Sequence, residues 1–122
     1  MTREPATEER LIYHIAEETA WRQALEDGLY RASSLVSEGF IHASTRNQVV
    51  DTANSFYHGN NGLVLLEIDT QALPVDVRYE LAPNGGSYPH IYGPVYPQAV
   101  VRVLPFPADE NGDFHWPETY AK

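Results

Sequence analysis

The chain has no cysteine. That absence removes disulfides, thiolate nucleophiles, iron–sulfur ligation and cysteine-rich zinc sites, so a packed core has to supply the stability. Positive charge is also scarce. Eight Lys and Arg face seventeen Asp and Glu, a net charge of −9, and such a surface repels polyphosphate backbones. Nucleic-acid binding is therefore not expected. Long apolar runs are missing too. Residues 1–10 are polar and lack the apolar stretch of a signal peptide, and no run reaches the length of a membrane span. A cytoplasmic location and no membrane partner are the expectation. There is no Gly-x-Gly-x-x-Gly and no phosphate loop, so the usual dinucleotide and nucleoside-triphosphate folds are not indicated.

What is present suits a globular α+β protein. At 122 residues with 43% hydrophobic side chains, the chain is long enough for one core and short for two. It divides into a polar N-terminal segment (1–10), a single domain (11–105) and an acidic C-terminal tail (106–122). Leu11–Ala16 reads as a first strand. Glu17–Asp27 reads as a helix with Ala20, Trp21, Ala24 and Leu25 on one face and Gly28 as its stop. Leu29–Glu38 is polar and irregular, with a turn of helix at Ser34–Ser37. Gly39–Ala43 is a second strand. Ser44 or Thr45 then caps a helix, with Gln48 in the capping-box position. That helix runs to Tyr57 and buries Val49, Val50, Ala53 and Phe56.

Asn60-Asn61-Gly62 makes a turn. Leu63–Asp69 is apolar on both faces and is expected to be a central strand. Val75–Leu81 alternates and reads as a half-exposed strand. Pro83–Pro97 reads as a long structured loop, and Ala99–Leu104 as the last strand. The tail from Phe106 is expected to be weakly ordered or draped on the surface, with Phe114 and Trp116 as its anchors.

Histidine is the side chain that changes charge near neutrality without help. His14 and His42 each lie in a short strand ahead of a helix, and are expected to face one cleft as the catalytic pair. Ser44, Thr45 and the free amides at a helix start could meet an anion. Tyr88, His90 and Tyr92 fall in a loop stiffened by proline, a composition that suits a rigid wall for stacking. His58 and His115 read as surface residues. Three histidines would suit zinc or iron, but no His-x-His or His-Glu-x-x-His spacing is present, and no metal site is assigned. Arg22, Arg31, Arg46, Arg78 and Arg102 are the cations suited to bidentate anion contacts, although most should be solvated.

Ile12-Tyr13-His14-Ile15, Trp21, Glu38-Gly39-Phe40-Ile41-His42-Ala43-Ser44, Gln48, Tyr79-Glu80 and Pro89-His90-Ile91-Tyr92-Gly93-Pro94, in this order, are similar to the family called domain of unknown function 952. The resemblance covers about residues 11 to 104. It implies a fold like the ADP-ribosyltransferases: a split, curved sheet with two main helices and a nucleotide cleft. It also implies that His14 holds a ribose and that Ser44 lies near the second position of that cleft. For the position where those enzymes carry a glutamate, Gln98 is the nearest candidate and Glu80 the nearest acid. A glutamine can bond a ribose hydroxyl but cannot ionise. The leading expectation is a cleft for an NAD-like or other small nucleotide ligand, with glycosyl or phosphoryl transfer as its chemistry. The alternatives are a non-catalytic ligand-binding or regulatory module using the same cleft, and a histidine metal-dependent hydrolase.

Overall fold

The computed structural model describes residues 10–117. The N-terminal segment up to residue 9 and the tail beyond 117 lie outside these described residues. Within them the expected α+β architecture is present. The elements are β1 (Leu11–Glu17), α1 (Glu18–Asp27), α2 (Ser33–Glu38), β2 (Ile41–His42), α3 (Arg46–Phe56), β3 (Leu63–Asp69), β4 (Val77–Leu81), β5 (Ser87–Ile91) and β6 (Val100–Pro105). They form two three-stranded antiparallel sheets, ordered β1-β3-β6 and β2-β5-β4. No helix among the described residues is long and apolar enough to cross a membrane.

β3 is central in the first sheet and buried along its whole length, which explains why its sequence does not alternate. One face of that sheet, with Ile12, Ala16, Val64, Leu66 and Ile68, packs against α1 and the inner face of the second sheet. The other, with Tyr13, Ile15, Leu63 and Leu65, packs against Val49 and Ala53 of α3. Tyr13, Glu67 and Arg102 lie in one cross-strand row. The Tyr13 hydroxyl donates to Glu67 at 2.8 Å and Arg102 donates to the same oxygen at 3.2 Å, so this buried carboxylate is paired.

Three expectations change. Pro83–Pro97 is not one loop: it contributes β5, the central strand of the second sheet. The proline at position 89 hid this strand, because proline lacks a ladder donor. Pro89 lies opposite Ala43, just past the end of the two-residue β2, where Ala43 donates to the Pro89 carbonyl at 3.1 Å. The missing N–H thus serves only the last rung of a short ladder. Phe56 is not buried but 77% exposed, because α3 ends there and Tyr57 packs against the core instead. Leu25, expected on the apolar face of α1, is likewise exposed, while Trp21 and Ala24 are buried.

The segment after β6 is the third change. Phe106 and Phe114 are buried, with ring centroids 4.9 Å apart, and they close the core beneath α3. Asn54 brackets Phe114 with both ends of its amide, accepting from its N–H at 2.7 Å and donating to its carbonyl at 3.2 Å. Asp109 accepts from the N–H groups of Asn111 and Asp113 and so fixes the turn that brings Phe114 back. Part of the acidic composition that suggested disorder thus serves a local turn.

The two sheets meet where the chain leaves β2. Ser44 and Tyr13 exchange main-chain hydrogen bonds of 2.8 Å in both directions, joining the continuation of β2 to β1. His14 locks the same seam. Its Nδ1–H donates to the His42 carbonyl at 2.6 Å, and its Nε2 accepts from the Tyr30 hydroxyl at 2.8 Å. Tyr30 is itself held by main-chain bonds to Val95. This arrangement needs a neutral imidazole. Burial, outweighing the carbonyl's help to the charged form, lowers the pKa of His14 from 6.5 to about 4.

Two outcomes follow. Phe114→Ala should destabilise the fold by about 3–5 kcal/mol, the usual range for a large aromatic removed from a core, measured by urea unfolding. Unchanged stability would mean that the segment after β6 only rests on the surface. The second outcome concerns acid. The unfolded chain takes up a proton on His14 near pH 6.5, whereas the folded chain refuses it until about pH 4. Stability should therefore fall as pH drops through that window, by up to about 3 kcal/mol from this group. His14→Gln should flatten the slope there, and parallel profiles for the two proteins would refute the neutral lock.

Candidate histidine–aromatic site

The second sheet carries the densest chemistry among the described residues. In its ladder His42 lies opposite His90, and Arg78 lies opposite His90 on the other side. Side chains alternate across a sheet, so Phe40 and His42, Tyr88 and His90, and Arg78 and Glu80 share one face. Ile41, Pro89 and Ile91 point the other way and are fully buried. Their anchoring leaves the opposite face to be held at the surface by a rigid floor.

On that face Phe40 stacks on His90, with centroids 4.0 Å apart and planes at 16°. The His42 ring meets Phe40 at 4.9 Å and His90 at 5.4 Å, edge-on in both cases. Tyr92 closes the group 5.5 Å from Phe40, and the Arg78 guanidinium lies 4.7 Å over the Tyr92 ring. Glu80 organises the polar edge. One of its oxygens accepts from the Tyr92 hydroxyl at 2.5 Å and from His90 Nδ1–H at 2.7 Å. The hydrogen bond from Tyr92, then that from His90, holds the Glu80 carboxyl below the usual range, and the same bond raises the Tyr92 phenol. When neutral, His90 is thus held in the tautomer whose Nε2 carries a lone pair. His42, half exposed, donates from Nε2 to Glu38 at 3.2 Å.

The expected site residues separate into two groups. His42, His90 and Tyr92 come together, and Tyr88 lies on the same strand face, with its hydroxyl accepting from Asn84 at 2.9 Å. His14 does not join them in one cleft. It touches His42 through the main-chain carbonyl, both its ring nitrogens are engaged, and it is only 7% exposed. Ser44 is buried at the seam, where its hydroxyl donates to Thr52. Thr45 is the N-cap of α3, with its N–H donated to Gln48 at 3.0 Å. Gln98 is exposed in the short turn (Pro97–Ala99) that leads into β6 of the other sheet. No three His, Asp or Glu side chains among the described residues converge as a metal-binding set.

Phe40 and Glu38 entered the sequence reading only as part of the family motif, Arg78 only as one of five arginines suited to anion contacts, and Glu80 only as the nearest acid. A signal for all but Glu38 was there. Phe-x-His, Tyr-x-His-x-Tyr and Arg-x-Glu are period-two patterns, and once the segments are strands they put these residues on one face. Glu38 reaches His42 from the end of α2, a contact that no strand period foretells. Elsewhere, an open groove of about 460 Å³ runs beside α1, lined in part by Gln23, Asp27, Tyr30 and Arg31. It contains none of the histidines.

The chain resembles one protein whose structure has been solved more than once. It is 30% identical to CC0527 from Caulobacter crescentus in a crystal structure, with a TM-score of 0.79, covering 86% of this chain and 93% of that one. The solution structure of CC0527 gives 29% identity and a TM-score of 0.78, over 92% and 97% of the two chains. No curated protein matches. The model of the family described as "Protein of unknown function (DUF952)" matches residues 15–103, and the chain belongs to that family.

Proposed function

We propose that the outer face of the second sheet binds a small nucleotide-like ligand and acts on it by general acid–base chemistry. The observation that carries this reading is the pair of imidazoles, 5.4 Å apart on an aromatic floor, one of them oriented by a carboxylate. A carboxylate on Nδ1–H stabilises the imidazolium that forms when Nε2 takes a proton. His90 with Glu80 is the base, removing a proton from an attacking hydroxyl or water. His42, paired with Glu38, is the acid that returns a proton to the leaving oxygen. Either glycosyl or phosphoryl transfer fits this division of labour. Phe40 and Tyr92 offer ring faces to a base, and Arg78 offers a cation to a phosphate.

The nucleotide class comes from the resemblance to the ADP-ribosyltransferase fold and is part of the proposal. His14 has a different place in this reading from the one the resemblance implies. With both ring nitrogens committed, it fixes β2 from behind and so sets the position of His42. A binding-only module on the same face is the second reading. It is favoured by Gln98, which cannot ionise and lies in the turn leading into β6, not on the strands that carry His42 and His90.

The test is calorimetric titration with NAD, ADP-ribose and nucleoside mono- and diphosphates, using wild type and single variants. Phe40→Ala and His42→Ala should each weaken binding of a panel member by about tenfold or more, since about 1.4 kcal/mol is a factor of ten. His58→Ala, remote from this face, should bind as wild type does. No binding at millimolar concentration, or equal affinity in all variants, would refute the assignment. If turnover of a bound member is found, His90→Ala should reduce it by about 10²–10⁴-fold. Binding without turnover would select the second reading.

A further inference from the structure

β4 is an edge strand of the second sheet, and its outer main-chain groups face outward. Which residues carry them follows from the hydrogen bonds at its two ends. Ala82 donates to Gly86 and Tyr92 donates to Asp76, so the even-numbered residues of β4 bond toward β5. The N–H and C=O groups of Val77, Tyr79 and Leu81 therefore point to the free edge. Such an edge is a template for another strand unless it is blunted by charge, proline or a bulge. Among the described residues no other strand covers this one, and its side chains are conspicuous: Tyr79 is 53% exposed and Leu81 80% exposed.

The sequence of the strand is self-complementary. Val77-Arg78-Tyr79-Glu80-Leu81 places Arg78 and Glu80 symmetrically about Tyr79. If a second copy pairs antiparallel about a two-fold axis at Tyr79, Arg78 of each copy lies opposite Glu80 of the other. Val77 then lies opposite Leu81, and the two Tyr79 residues face each other. Opposite charges and apolar groups are matched at every rung, and main-chain hydrogen bonds fall on the groups that point outward. We infer that this chain forms a two-fold dimer through the free edge of β4, joining the two second sheets into one six-stranded sheet. The pairing also has a consequence for the histidine–aromatic face. Arg78 of the second copy comes beside Glu80, which bonds His90 and Tyr92, so each face gains a cation from its neighbour. The inference stands on the strand edge and does not depend on the proposed ligand.

Sedimentation velocity over a range of protein concentrations tests it, with circular dichroism to show that each variant is folded. Wild type should sediment as a dimer at high concentration. Leu81→Lys alters an exposed side chain at the edge and should weaken the dimer by at least about tenfold. The decisive arm uses charge reversal. Arg78→Glu and Glu80→Arg each set like charges opposite one another in a homodimer, and both should sediment as monomers. Mixed in equal amounts, they restore opposite charges at both rungs and should form a heterodimer. A monomeric wild type at all concentrations, or a dimer unaffected by Leu81→Lys, would overturn the inference. So would a mixture that stays monomeric. Association of wild type into larger species without a dimer plateau would point to a different contact and count against it equally.

Discussion

The hydrogen bond from His14 to the main-chain carbonyl of His42 sits at the junction of the two sheets, and the placement of the surface site depends on it. β2 is only two residues long, too short to hold its own register. Pairing with β5 secures one of its edges; His14 and the Tyr13–Ser44 bridge secure the other. The His42 carbonyl points to the seam because its neighbours, Ile41 and Ala43, use their main-chain groups on β5. The first sheet therefore positions the second through a side chain from its own interior. The cost of that arrangement is a buried, neutral imidazole, which makes the junction sensitive to acid.

The same geometry places the histidines in different environments. His14 has a hydrogen-bond partner on each nitrogen and a desolvated ring, which is the environment of a residue that holds something in place. His90 has one nitrogen committed to a carboxylate and lies against an aromatic face, and His42 is open to solvent. Glu80 links these rings to the strand edge, since its carboxylate bonds His90 and Tyr92 while its neighbours along β4 present unused main-chain groups. Arg78, on the same strand, also reaches the site, over the Tyr92 ring.

Both faces of β1 and β3 are covered, and this explains the role of the C-terminal segment. A sheet buried on two sides needs a second layer, and α3 is too short to supply it alone. Phe106 and Phe114 complete it. Acidic residues around them are compatible with this because Asp109 caps the intervening turn and also accepts from His115 at 2.8 Å.

The sequence by itself determined the elements whose signals are local. β3 was legible from an apolar run interrupted only by Glu67, α1 from its apolar face and Gly28, whose φ of 84° suits glycine, and the start of α3 from Thr45 and Gln48. It also marked His14, His42 and His90 as candidates, since the family motif carries them. Tertiary structure decided the rest. A proline inside a strand reads as a loop until the short partner beside it is known, so β5 and with it the shared face of His42 and His90 were hidden. Burial of Phe114 depends on Asn54, 60 residues away, and no local pattern reports such a contact. The roles of His14 and His42 were indistinguishable in sequence for the same reason: each sits in a short apolar strand. Only the packing of one sheet against the other desolvates the first ring and leaves the second at the surface.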